Sequence, residues 1–125
     1  MTNANHIKII SVRLRRDVLN IFSRRSRLSI YFLNEQNKEK CLELRTVKNE
    51  EDIVRYLILP KRHFGTSVER NKFRRRVLEI FKKLPLPGGF DYAFVAYPSI
   101  KQFSFEELKL IIIKILRKQG FLQDV

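Results

Sequence analysis

Between Thr66 and Leu84 the chain carries an apolar spacing that a helix accommodates and a strand does not. Phe73, Val77, Ile80, Phe81 and Leu84 fall at i, i+4, i+7, i+8 and i+11, which puts them on one continuous face. Thr66 stands three residues before Glu69, a capping-box spacing, so the helix is predicted to start near Ser67. The run PLPGG at 85–89 stops it. On either side lie two apolar runs of strand length, IVRYLIL at 53–59 and FDYAFVAY at 90–97, each followed by a proline with no N–H to give a ladder. A helix with a stripe to bury, set between two strands, predicts packing onto a sheet.

The remaining segments fit that architecture. Leu14, Val18, Ile21 and Phe22 make the stripe of a short first helix. LSIYFL at 28–33 reads as a strand, and 41–46 alternates Leu42 and Leu44 with Glu43 and Arg45, the period of a half-exposed strand. Ser104 and Glu107 form a second capping box before Leu108, Ile111, Ile112, Ile115 and Leu116, with Gly120 as the stop. The reading is an α+β sandwich, three helices on a small mixed sheet, as one domain over residues 1–125. The lone Cys41 excludes an internal disulfide framework and a Cys-based zinc site. The longest apolar stretch is interrupted by Lys109 and Lys114, so a soluble cytoplasmic protein with no membrane contact is expected.

Charge narrows the partner. There are 26 Lys plus Arg against 13 Asp plus Glu, a net charge of +13. That excess suits a polyanion. It concentrates between Lys61 and Arg76, where Lys61, Arg62, Arg70, Lys72, Arg74, Arg75 and Arg76 face the single acid Glu69. Solvated helix faces ordinarily mix both signs. Arg70 and Arg74, at i and i+4, repel each other, so a phosphate partner explains the arrangement better than stability does. Arginine grips phosphate with a planar fork and stacks on bases, which favours RNA. Asn71 is either a base or ribose contact or a tolerated helix polar residue. Gly65, in the loop before the helix, brings free N–H groups to a helix N-terminus. The acids Glu35, Glu39, Glu43, Glu50, Glu51 and Asp52 gather in 35–52, read as an extended hairpin pointing away from the polyanion.

Residues 59–81 resemble the protein subunit of bacterial ribonuclease P. Pro60-Lys61-Arg62 and Gly65, then Glu69-Arg70-Asn71-Lys72-Phe73-Arg74-Arg75-Arg76-Val77-Leu78-Glu79, follow the family's strand end, glycine turn and Arg-Asn-Arg-x-Lys-Arg-x-x-Arg-Glu helix. Leu14-Arg15 with Ile21-Phe22 is similar to its first helix, and Asp91 to Pro98 to its Asp-x-x-x-x-Ala-Arg-Pro strand. Departures are Lys72 for Arg, Arg74 for Lys, Leu78 for Arg, Tyr97 for Arg, and Val18 for an aromatic.

The resemblance implies a two-layer sandwich of the ribosomal-protein type, its parallel strand pair joined through the basic helix by a left-handed crossover. Patterning alone would assign the usual right-handed one. It also implies that a catalytic RNA removes the 5′ leader of precursor tRNA, with Mg²⁺ held mainly by that RNA. The protein would be the accessory subunit of this endoribonuclease, with both RNAs as partners and no protein partner required. Lys61, Arg62, Arg70, Asn71, Lys72, Arg74 and Arg75 would contact the catalytic RNA or help place metal ions near the cleavage site, while Phe22 and Arg15 would line a leader cleft. Phe22 also completes the first helix's apolar stripe, so core and cleft both remain open for it.

No catalytic residue is expected on the polypeptide. His6 and His63 sit in different segments without an orienting partner, although His63 borders the basic loop, where a general base is conceivable. Glu50-Glu51-Asp52 and Glu106-Glu107 suit a turn and a helix start better than a two-metal centre. The alternatives are a general structured-RNA-binding protein, an independent metal-dependent nuclease and, weakest, a DNA-binding helix. Charge reversal at Arg70 and Arg74 is expected to raise the magnesium and salt requirement of cleavage without changing the fold.

Overall fold

A computed structural model describes residues 8–13, 15–23 and 28–123. Strands β1 (Ile9–Ser11), β2 (Leu28–Leu33), β3 (Lys40–Lys48), β4 (Val54–Pro60) and β5 (Phe90–Ala96) form one mixed sheet in the order β1-β4-β5-β3-β2. Helices α1 (Arg15–Ile21), α2 (Ser67–Lys82) and α3 (Phe105–Lys118) complete the α+β fold. β4 and β5 are parallel neighbours, Val54 opposite Phe90 and Pro60 opposite Ala96, with α2 as their connection.

Alternation along β5 divides the core in two. Tyr92, Phe94 and Ala96 face α2 and α3, where Phe73, Val77, Ile80 and Phe81 meet Leu108, Ile111, Ile112 and Ile115 in the main cluster. Ala93 faces the other way and packs with Val12 and Ile21 beside Val18, Val47 and Leu57. Covered on both sides, β5 is buried from Asp91 to Ala96. The apolar face of α2 therefore does what its spacing required. Leu84 lies beyond the helix end and packs only partly buried against the core.

Short α1 is held across the opposite sheet face by an ion network. Arg55 of β4 donates from Nε and Nη2 to the Asp91 carboxylate at 2.7 and 2.8 Å, and from Nη1 to Asp17 of α1 at 3.1 Å. Asn49 Nδ2 adds a bond to Asp91 at 2.9 Å. Asp91, foremost through its hydrogen bond, holds the Arg55 guanidinium above its already high ordinary range. The aspartate that opens the β5 motif thus has a structural partner.

Several expectations need correction. β1, three residues pairing in parallel with β4, carries too short a pattern to read from sequence. The segment 35–52 is no extended hairpin: its centre is β3, paired on both sides within the sheet. Glu43, expected among acids facing away, is buried on the α1 face. The stop at Gly120 is one residue past the cap, with Gln119 closing α3 and Gly120 left-handed at φ 83°. His6, Leu14 and residues 24–27 lie outside the described residues.

Breaking one side of a buried ion pair leaves the other charge poorly compensated. Asp91→Asn is expected to lower unfolding stability by about 3 kcal/mol in urea titrations. A loss near zero would show that Arg55 does not depend on this carboxylate.

Candidate nucleic-acid interface

The loop entering α2 is fixed by the anticipated capping box. Thr66 Oγ1 accepts from the Glu69 N–H at 3.2 Å, and Glu69 Oε1 accepts from the Thr66 N–H at 3.0 Å. That backbone hydrogen bond, and then Lys101, hold the Glu69 carboxyl below its usual range. Gly65 lies against this carboxylate: a Cβ there would come within 2.7 Å of Glu69 Oε1 and displace the cap. His63 is exposed with a left-handed backbone, φ 72°, and among the described residues none bonds its ring.

The basic residues divide into two kinds. β1 pairs only with the first residues of β4, and the last carbonyl covered on that edge is Tyr56, which accepts from the Val12 N–H. Carbonyls farther along the same edge need other donors. Arg74 Nε reaches Ile58 O at 3.5 Å, and Arg70 donates to Pro60 O and Lys61 O, both at 2.9 Å. Asn71 Oδ1 accepts from Arg74 Nη1 at 3.1 Å, so Asn71 orients that guanidinium. Lys61, Arg62, Lys72 and Arg75 are exposed. The expectation that Arg70 and Arg74 carry no structural duty is thus corrected: they hold the end of β4 as well as presenting charge.

The other sheet face carries a second constellation. Phe22, just past α1, is 37% exposed, while Ile21 beside it fills the core at 0%. The core reading of Phe22 is thereby set aside: its ring lies outside the core, with the Arg45 guanidinium 4.9 Å from the centroid. Arg15 is exposed two helical turns earlier on the same side of α1. Tyr31, directly opposite Glu43 across the strands, is also exposed, and Lys40 Nζ lies 4.2 Å from its ring centroid. Tyr97 donates to Glu43 Oε1 at 3.4 Å; burial, then the Glu43 charge, push its phenol upward and keep it a donor. Lys61 Nζ, 5.5 Å from the Tyr97 ring centroid, links this face to the basic loop.

Arg45, Tyr31 and Tyr97, which meet Phe22 or Glu43 on this face, were not singled out from sequence. The alternation of 41–46 already placed Glu43 and Arg45 on one face, but which side that face takes depends on α1. Among the described residues no three His, Cys, Asp or Glu side chains are grouped to hold a metal ion. What the arrangement offers is fixed cations and open aromatic rings, the means by which proteins hold phosphates and single-stranded bases.

Comparison with known proteins shows the family. The family model Ribonuclease P matches residues 14–120. The ribonuclease P protein component of Petrotoga mobilis is 27% identical over 113 residues, 86% of this chain and 88% of that protein. That of Thermotoga petrophila is 35% identical, covering 78% of this chain and 76% of the relative. With the Thermus aquaticus component the match, 36% identical, spans 53% of this chain and only 40% of that protein. Among solved structures, the Thermotoga maritima RNase P protein superposes with a TM-score of 0.68 at 28% identity, covering 91% of this chain and 98% of that one. The Staphylococcus aureus protein shares the fold at a TM-score of 0.72 and 20% identity, over 90% and 97%. With the model running from the first helix to the end of the last, this chain belongs to the Ribonuclease P protein family.

Proposed function

We propose that the chain is the protein subunit of a bacterial ribonuclease P, binding the catalytic RNA and the 5′ leader of precursor tRNA so that endonucleolytic cleavage gives the mature 5′ end. The observation that carries this reading is the arginine-rich face of α2 anchored on β4, in a chain of this family. Exposed Lys61, Arg62, Lys72 and Arg75 supply phosphate contacts, while Arg70 and Arg74, already oriented by backbone carbonyls, supply fixed ones. Single-stranded leader crosses the α1 face past Phe22, Arg15 and Tyr31.

The polypeptide's part is positional and electrostatic. A net charge of +13 lowers the repulsion between two RNAs. The chemistry would come from hydrated Mg²⁺ held mainly by the RNA, which would supply the activated water, while the basic residues of this chain hold the RNAs in place. The protein works in the cytoplasm in this reading; among the described residues no helix is long and apolar enough to cross a membrane.

The test is cleavage of a precursor tRNA at near-physiological magnesium with protein alone, with a bacterial ribonuclease P RNA alone, and with both. Correct 5′ maturation only with both is expected. Activity of the protein alone would put the chemistry in the polypeptide, and binding without stimulation would leave a general RNA-binding module. Lys72→Ala and Arg75→Ala should each reduce the slope of log affinity for the RNA against log salt by about 0.7 to 0.9 at unchanged unfolding stability. Arg70→Ala and Arg74→Ala should also lower stability, by about 1 to 2 kcal/mol, because they orphan carbonyls of β4. Equal stability for all four would remove the distinction.

A further inference from the structure

Glu43 is the anomaly of the α1 face. In a strongly basic protein it places a carboxylate only 2% exposed in the middle of the sheet surface that Phe22 and Tyr31 share. A buried charge persists only when its partners replace water. Here Oε2 accepts from Ser29 Oγ at 2.9 Å and from Arg45 Nε at 2.6 Å, and Oε1 from the Tyr97 hydroxyl at 3.4 Å. Packing alone does not ask for this set, since a hydrophobic residue would fill the same place without desolvating a charge.

The geometry at Arg45 shows what the carboxylate achieves. Its bond fixes the guanidinium through Nε, and the Phe22 ring supports one face of the fork. Both terminal nitrogens are left without an acceptor among the described residues. An arginine held this way has already given up its rotamer freedom and keeps its phosphate-binding edge available.

We propose that Glu43 is a positioning residue for leader recognition: it aims the Arg45 fork, braced on Phe22, at a backbone phosphate of the single-stranded leader. The inference rests on the proposed leader-binding function. Without Glu43, Arg45 remains cationic but loses its fixed aim, so leader affinity falls while affinity for the catalytic RNA, bound through α2, does not.

The experiment uses the reconstituted complex with a bacterial ribonuclease P RNA. Equilibrium affinities are measured for a precursor tRNA with its leader and for the same tRNA without one. Wild type is expected to favour the leader-bearing form, and Glu43→Gln to narrow that preference roughly tenfold with RNA-subunit affinity unchanged. Arg45→Lys, which keeps the charge and loses the fork, should narrow it equally, and the double variant should be no worse than either alone. A wild-type complex that binds both tRNAs alike would refute the leader reading itself. A wild-type preference left intact by a folded Glu43→Gln, or losses that simply add in the double variant, would overturn the role of Glu43 alone. Should Glu43→Gln unfold, Arg45→Lys decides: an undiminished leader preference overturns the proposal.

Discussion

Strand β4 is paired along its whole length on one side and only along its first residues on the other, and this half-open edge organises the molecule. Buried or half-buried carbonyls without donors are expensive, so something must reach Ile58 and Pro60. Arginines from α2 do so. The bonds fix how α2 is turned about its axis, with Phe73 and Val77 inward and Lys72 and Arg75 outward. One contact thereby ties the fold to the charged surface: the side chains that complete the sheet edge also begin the basic patch.

The opposite face is organised by ions of a different kind. Arg55, held by Asp91, extends to Asp17 and fastens α1 over the sheet, adding to the small cluster around Ile21 and Ala93. With α1 in place, Phe22 projects beyond the core and meets Arg45. The two faces join where parallel β4 and β5 end, because Lys61 and Tyr97 follow those strands directly and lie close to each other. On the proposed function, RNA bound at the basic loop and a leader lying over the sheet would therefore be neighbours.

Much of this was legible in the residues. Both capping boxes, the stripes of α2 and α3, and the strands on either side of α2 are local patterns, and local patterns survive folding when the core reinforces them. β1 was not legible, since three residues carry no period and its pairing comes entirely from β4. The acidic segment misled because composition reports how many acids are present and not which way each points. Glu43 lies at a covered position on the α1 face of a strand whose flanking loops hold the others. Arg70 and Arg74 looked purely like a charge pattern, because the carbonyls they serve lie nine to sixteen residues away in sequence.

The sequence by itself determined the α+β class, the limits of the long helices, the concentration of arginine on α2 and, through its motif, the family. Those features depend on spacing and charge along a few neighbouring turns. Only the tertiary structure decided the order of strands, the side on which α1 lies, the exposure of Phe22 and the burial of Glu43. Each of these depends on which distant backbone supplies a hydrogen-bond partner or a covering surface, and a linear pattern carries no record of that.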